Sequence, residues 1–199
     1  SVQREAFYAW LIDRPADVSA LPALVQDLLA FRSGVSKQVP AVPFQLLGGL
    51  TLSPKQWGEV ALMASWQTLR QGLNMLTRNG AFARPEVVTH VATVLRDRER
   101  IKVAKALPYQ LLATLQALDP AVPPALRDAL HDAMERAVDN VPRLEGRVVV
   151  CPDVSGSMSS PVTGYRGSAT TAVRCIDVAA LVAAALKRSN PAALILPFE

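Results

Sequence analysis

The sequence predicts antiparallel helix pairs over residues 1–146, followed by the opening of a doubly wound, mostly parallel α/β unit over residues 147–199. Three observations carry this. Up to about residue 145, apolar residues recur at helical spacing in short segments that open at proline or serine. After Gly146 the pattern changes to "RVVVC", a β-branched run apolar on both faces, as a strand covered by helices must be. An apolar helix and a second such run, "AALILPF", follow, giving the order strand, loop, helix, strand.

Each element has a local reason. "LPALVQDLLAFR" (21–32) sets Leu21, Leu24, Val25 and Leu28 in one stripe. "SPKQWGEVALMA" opens with Ser53 as N-cap, Pro54 at the first helical position and Gln56 in the capping-box place. "SWQTLRQGLNMLTRNG" closes at Asn79-Gly80, where Gly80 suits a left-handed cap. "RPEVVTHVATVLRD" starts at Pro85, "ERIKVAKA" follows, and Pro108 opens "PYQLLATLQAL". "PPALRDALHDAMERAVDNV" (123–141) ends before Pro142. Such pairs suit an α-solenoid, whose units bury their stripes against sequence neighbours. A compact bundle has the same periodicity, and no strict repeat separates the two. In the second part, "TAVRCIDVAALVAAALKRS" (171–189) is the crossover helix. Two strands cannot make an independent parallel sheet with both faces covered, so the chain reads as a piece of something longer.

Half of the 199 residues are hydrophobic and 19% are charged, the balance of a globular protein. No apolar run approaches the roughly 20 residues that span a bilayer, and "SVQREAFYAW" lacks the layout of a secretory signal. With Cys151 and Cys175 the only cysteines, no disulfide framework is expected and a reducing cytoplasm fits best. His90 and His131 fall in different helical segments, which leaves no histidine cluster or triad.

The net charge of +4 is too small to imply nucleic acid, but it is unevenly spread. Residues 66–105 hold Arg70, Arg78, Arg84, Arg96, Arg98, Arg100, Lys102 and Lys105 against Glu86, Asp97 and Glu99, a net of +5. Arg98, Lys102 and Lys105 share a helical face at spacings of four and three. Cations on a helical scaffold neutralise phosphates and give salt-dependent, sequence-tolerant affinity. The same charges also suit a solvated surface paired with Asp97 and Glu99. Trp57, Trp66 and Tyr109, on apolar faces, read as core before they read as stacking platforms.

The chemistry lies in "RVVVCPDVSGSMSSP" (147–161). Alternate side chains of an extended segment point the same way, so Asp153, Ser155 and Ser157 converge, and Gly156 relieves crowding. One carboxylate and two hydroxyls are hard ligands, too few for a calcium cage. They suit a divalent ion that keeps its waters, magnesium or manganese. The place is right as well, since open α/β sheets bind ligands beyond the carboxyl ends of their strands. The bland alternative is a turn in which Asp and Ser bond nearby amides. A nucleophilic serine is not expected, because "VSGSM" is not a G-x-S-x-G elbow and no base accompanies it; no phosphate-binding P-loop motif is present either.

This loop resembles the metal-ion-dependent adhesion site of von Willebrand factor A domains, where the first strand ends in D-x-S-x-S. The resemblance implies ligand roles for Asp153, Ser155 and Ser157. That family completes its shell with a threonine and an aspartate from later loops, which are not expected here. The helical part is similar to the Ro autoantigen (TROVE) family, whose HEAT-like helical ring runs straight into an A domain. The likeness rests on "ALPYQLLATLQAL", on "LRDALHDAMERAVDNVPRLEGRVVVCPDVSGSM" and on "SWQTLRQGLNMLTRNGAF". The family's common Arg-Asn pair falls on Gln71-Gly72, so no role of that pair carries over. The resemblance implies an α-solenoid of HEAT-like pairs over 1–146 and the first half of an A domain over 147–199. It also implies a non-catalytic RNA-binding protein. Its partners would be small non-coding Y RNA, single-stranded 3′ ends of misfolded or maturing RNAs and a 3′-to-5′ exoribonuclease, with neither DNA nor membrane. The alternative is an adhesion-type A-domain protein whose metal bridges to an acidic residue of a protein partner. An enzyme would need a second carboxylate or a general base near the loop, and the sequence offers neither.

Overall fold

The computed structural model describes residues 1–47, 49–165, 167 and 172–199. Helix α1 (Val2–Leu11), ahead of the first segment singled out in the sequence at Leu21, carries Phe7 stacked on Trp10 at 6.0 Å between ring centroids. Helix α2 (Ala23–Arg32) buries Leu28 and Phe31 with Val39, Leu47 and Val60 in a first apolar cluster.

Local chemistry sets the next boundaries. Helix α3 (Pro54–Met63) begins in a full capping box: the Ser53 hydroxyl accepts from the Gln56 amide at 3.3 Å, and the Ser53 amide donates to Gln56 Oε1 at 2.9 Å. Helix α4 (Trp66–Arg78) is capped by Ser65 and followed by Gly80 at φ +72°. Helix α5 (Pro85–Arg96) opens at proline, and α6 (Arg98–Val103) is capped by the Asp97 carboxylate on the Arg100 amide. Helices α7 (Pro108–Gln116) and α8 (Pro124–Ala137) also open at proline.

Packing follows two rows. In the first, α5 lies between α3 and α8, and α4 lies beside α7 in the second. Between the rows lies the main core, with Leu69 and Leu73 of α4, Val87, Val91 and Leu95 of α5, Leu111 of α7 and Leu126 and Leu130 of α8 buried. Each helix meets its neighbours along the row and across it, an arrangement consistent with a helical solenoid.

Helix α9 (Cys175–Ser189) continues the second row against α7. The sequence expectation started it at Thr171, which lies outside the described residues; the helix begins at Cys175. It is the crossover between two short parallel strands, β1 (Val149–Val150) and β2 (Leu194–Ile195), in the register Val149 to Leu194 and Val150 to Ile195. The pairing extends to a parallel bridge between Asp153 and Phe198. Burial of both strands, expected from their composition, is not found: Val149, Leu194, Ile195, Leu196 and Phe198 are all exposed. A parallel strand is buried when elements cover both of its faces, and α9 supplies one cover.

Asn190 fastens this unit to the helices. Buried, it accepts from the Leu144 amide at 2.7 Å and donates to Pro142 O at 3.3 Å and Leu186 O at 2.9 Å. An exposed Arg188–Glu135 ion pair joins α9 to α8 nearby.

Candidate functional site

The loop after β1 is held by main-chain bonds on both sides. The Val154 amide donates to Phe198 O at 2.9 Å, and the Cys175 amide donates to Ser160 O at 2.9 Å. Asp153 Oδ1 accepts from the Ser155 amide at 2.8 Å, the local turn that its spacing allows. The Ser155 and Ser157 hydroxyl oxygens stand 3.1 Å apart. Asp153 is thus joined to Ser155 and Ser155 to Ser157, but not as alternate positions of an extended segment, the arrangement their spacing predicts: Ser157 lies in a 3₁₀ turn over Gly156–Ser159. Asp153 Oδ2 is in no hydrogen bond among the described residues. The amide and hydroxyl of Ser155 hold the Asp153 carboxyl below its ordinary range, so it stays ionised.

The donor set suits a hard cation. Two ligands at right angles, each about 2.1 Å from a magnesium ion, lie about 3 Å apart, close to the spacing of the two hydroxyls. One carboxylate leaves most of the shell to water. Among the described residues there is no cluster of three or more His, Cys, Asp and Glu that would make a carboxylate- or thiolate-rich centre.

The cationic candidates separate into distinct environments. Arg96 pairs with Asp132 through Nε at 2.6 Å, and Arg98 pairs with Asp139 at 3.3 Å, so both are tied to α8 or the turn after it. Arg84 lies 3.5 Å from Glu86, and Arg100 lies 3.7 Å from Asp97. Arg78 is exposed and donates Nε to Asn74 O within its own helix. Lys102 and Lys105 are exposed and lie in no ion pair among the described residues. Arg70 departs most from a surface phosphate contact: it is buried, and Nη1 donates to Thr114 Oγ1 at 2.7 Å and Gln110 O at 3.1 Å. Trp66 is core, and Trp57 packs against both apolar clusters.

Sequence reasoning missed the asparagine staples. Asn74 donates to Ala117 O at 2.7 Å and accepts from the Asp119 amide at 2.9 Å, and Asn140 donates to Ile101 O and Ala106 O. An asparagine in the middle of a helix, as Asn74 is, pays in helix propensity, and that cost was the available signal.

No family model and no curated protein matches the sequence. The structure does match one already solved. The crystal structure of the Deinococcus radiodurans Ro (RSR) protein is similar at a TM-score of 0.64 and 19% identity, over 88% of this chain and 36% of that one. The fold is Ro-like. At this identity the likeness concerns fold alone, and the chain spans about a third of the length of the Ro (RSR) protein. No helix among the described residues is long and apolar enough to cross a membrane.

Proposed function

We propose that this chain is part of a non-catalytic, RNA-binding scaffold of the Ro type, working in the cytoplasm. The observation that carries the proposal is the Ro-like course of the backbone over 88% of the chain. Its RNA partners are small non-coding Y RNA and single-stranded 3′ ends, with a 3′-to-5′ exoribonuclease as protein partner. The exposed cations Arg78, Arg98, Lys102 and Lys105 neutralise phosphates, and Lys102 and Lys105, in no ion pair among the described residues, do so at least cost. Residues 147–199 open an A domain of the von Willebrand factor type. Asp153, Ser155 and Ser157 there hold a divalent ion, magnesium or manganese, whose remaining positions go to water or to an acidic group.

The test is binding of RNA with a free single-stranded 3′ tail, measured at rising salt. Arg98→Glu with Lys102→Glu weakens binding alike across sequences. Unchanged affinity in that double variant sinks the assignment to this stretch.

A further inference from the structure

Arg70 brings a positive charge into the second row of helices with no carboxylate among the described residues to meet it. The residue is 9% exposed. Its guanidinium donates Nε to Gln67 Oε1 at 3.3 Å and Nη1 to Gln110 O and Thr114 Oγ1, all neutral acceptors. It takes part in no ion pair among the described residues, and Nη2 donates to none of them. A largely buried charge held by neutral dipoles is costly, and Nη2, which is not among the buried polar atoms that lack a partner, is the part of the guanidinium an anion can reach. Burial lowers the Arg70 pKa from its ordinary value, with nearby Tyr109 acting the other way.

Arg70 lines a cleft of about 250 Å³ between α4 and α7, together with Gln71, Asn74 and Thr114. The other polar groups there are largely committed. The Asn74 side chain bridges to Ala117 and Asp119, and the Thr114 hydroxyl donates to Gln110 O while accepting from Arg70. The nearby Asp119 carboxylate accepts from the Ala121 amide. Gln71 is exposed, and its side-chain amide bonds no described residue. The uncommitted donors are therefore Nη2 of Arg70 and the side-chain amide of Gln71.

We propose that this cleft is a seat for one phosphate-class oxyanion, bound by the Arg70 guanidinium and the Gln71 amide, which supplies the counter-charge the fold omits. A phosphate offers several acceptor oxygens and so takes two donors from different directions. The seat goes beyond the RNA-binding reading, since free phosphate would fill it as well as a phosphate carried on a chain.

The experiment titrates the 199-residue chain with inorganic phosphate at fixed ionic strength, chloride making up the balance, and reads Tm. Phosphate several-fold above its Kd raises Tm by about 2–4 °C and saturates. Arg70→Gln abolishes the response. Because that change also strips Thr114 and Gln110 of their donor, Gln71→Glu is the second variant: it places a carboxylate at the cleft from an exposed position and likewise abolishes the response. A Tm that follows phosphate and chloride alike, or a response surviving in both variants, overturns the seat. RNA without a terminal phosphate is then added to the wild-type chain. Loss of the phosphate response assigns the seat to backbone phosphate, and persistence assigns it to free phosphate; both uphold it. The RNA reading is tested at Arg98 and Lys102, so the two fail independently.

Discussion

The Trp66 indole N–H donates to the main-chain carbonyl of Leu95 at 3.0 Å, fastening the start of α4 to the end of α5. That carbonyl is among the last four of α5, which no amide of the same helix can reach, so the indole satisfies an orphan. Trp66→Phe keeps most of the apolar volume and removes the donor. It is expected to cost about 1–3 kcal/mol, seen as a lower urea midpoint at unchanged m.

Gly80 follows α4 at φ +72°, and a Cβ there would meet Pro54 Cβ at 3.1 Å. Both the backbone strain and the contact oppose a side chain. Gly80→Ala is expected to lose about 1–2 kcal/mol in the same assay, whereas Gly146→Ala, with open space around it, carries the strain alone.

Binding of a divalent ion at the β1 loop is checked directly with manganese. Titrating the chain into Mn²⁺ should diminish the free-ion electron paramagnetic resonance signal, and excess Mg²⁺ should restore it. Asp153→Asn removes the only carboxylate of the set and should abolish the effect; Ser157→Ala removes one weaker ligand and should reduce it. Equal signals in wild type and Asp153→Asn would dismiss the ion.

Acid weakens the start of α9. Asp177 accepts from the side chain and the main-chain amide of Arg174, which holds its carboxyl below the ordinary 3.8. A lowered carboxyl pKa stabilises the fold in full above 3.8, and the contribution is lost as pH falls through the lowered value. Stability of the wild-type chain should therefore fall more steeply below pH 3.8 than that of Asp177→Asn, followed by urea midpoints across the acid range.

Salt dependence separates phosphate contacts from structural cations. Lys102→Ala, at an exposed residue with no ion-pair partner among those described, should lower the slope of log K against log salt by about 0.7–1 for tailed RNA. Arg96→Ala breaks the pair with Asp132 instead, and is expected to affect fold stability by about 0–1 kcal/mol with little change of slope.

The sequence by itself determined what depends on near neighbours along the chain. Ser53, Pro54 and Gln56 start α3, and Pro85, Pro108 and Pro124 start later helices, because a cap or a fixed φ acts within a single turn. The contacts from Asp153 to Ser155 and from Ser155 to Ser157 also join residues two apart, but the extended segment expected to align them gives way to a 3₁₀ turn over Gly156–Ser159. Tertiary structure alone decided the partners of the cations. Arg96 and Arg98 meet Asp132 and Asp139, about forty residues away, where the sequence offered only Asp97 and Glu99. It also decided that Arg70 turns inward to Thr114, that β1 stays partly exposed and that β2 stays exposed. A charge takes the nearest opposite charge in space, and a strand is buried only when something packs on each face; both follow from helix packing, which local periodicity does not encode.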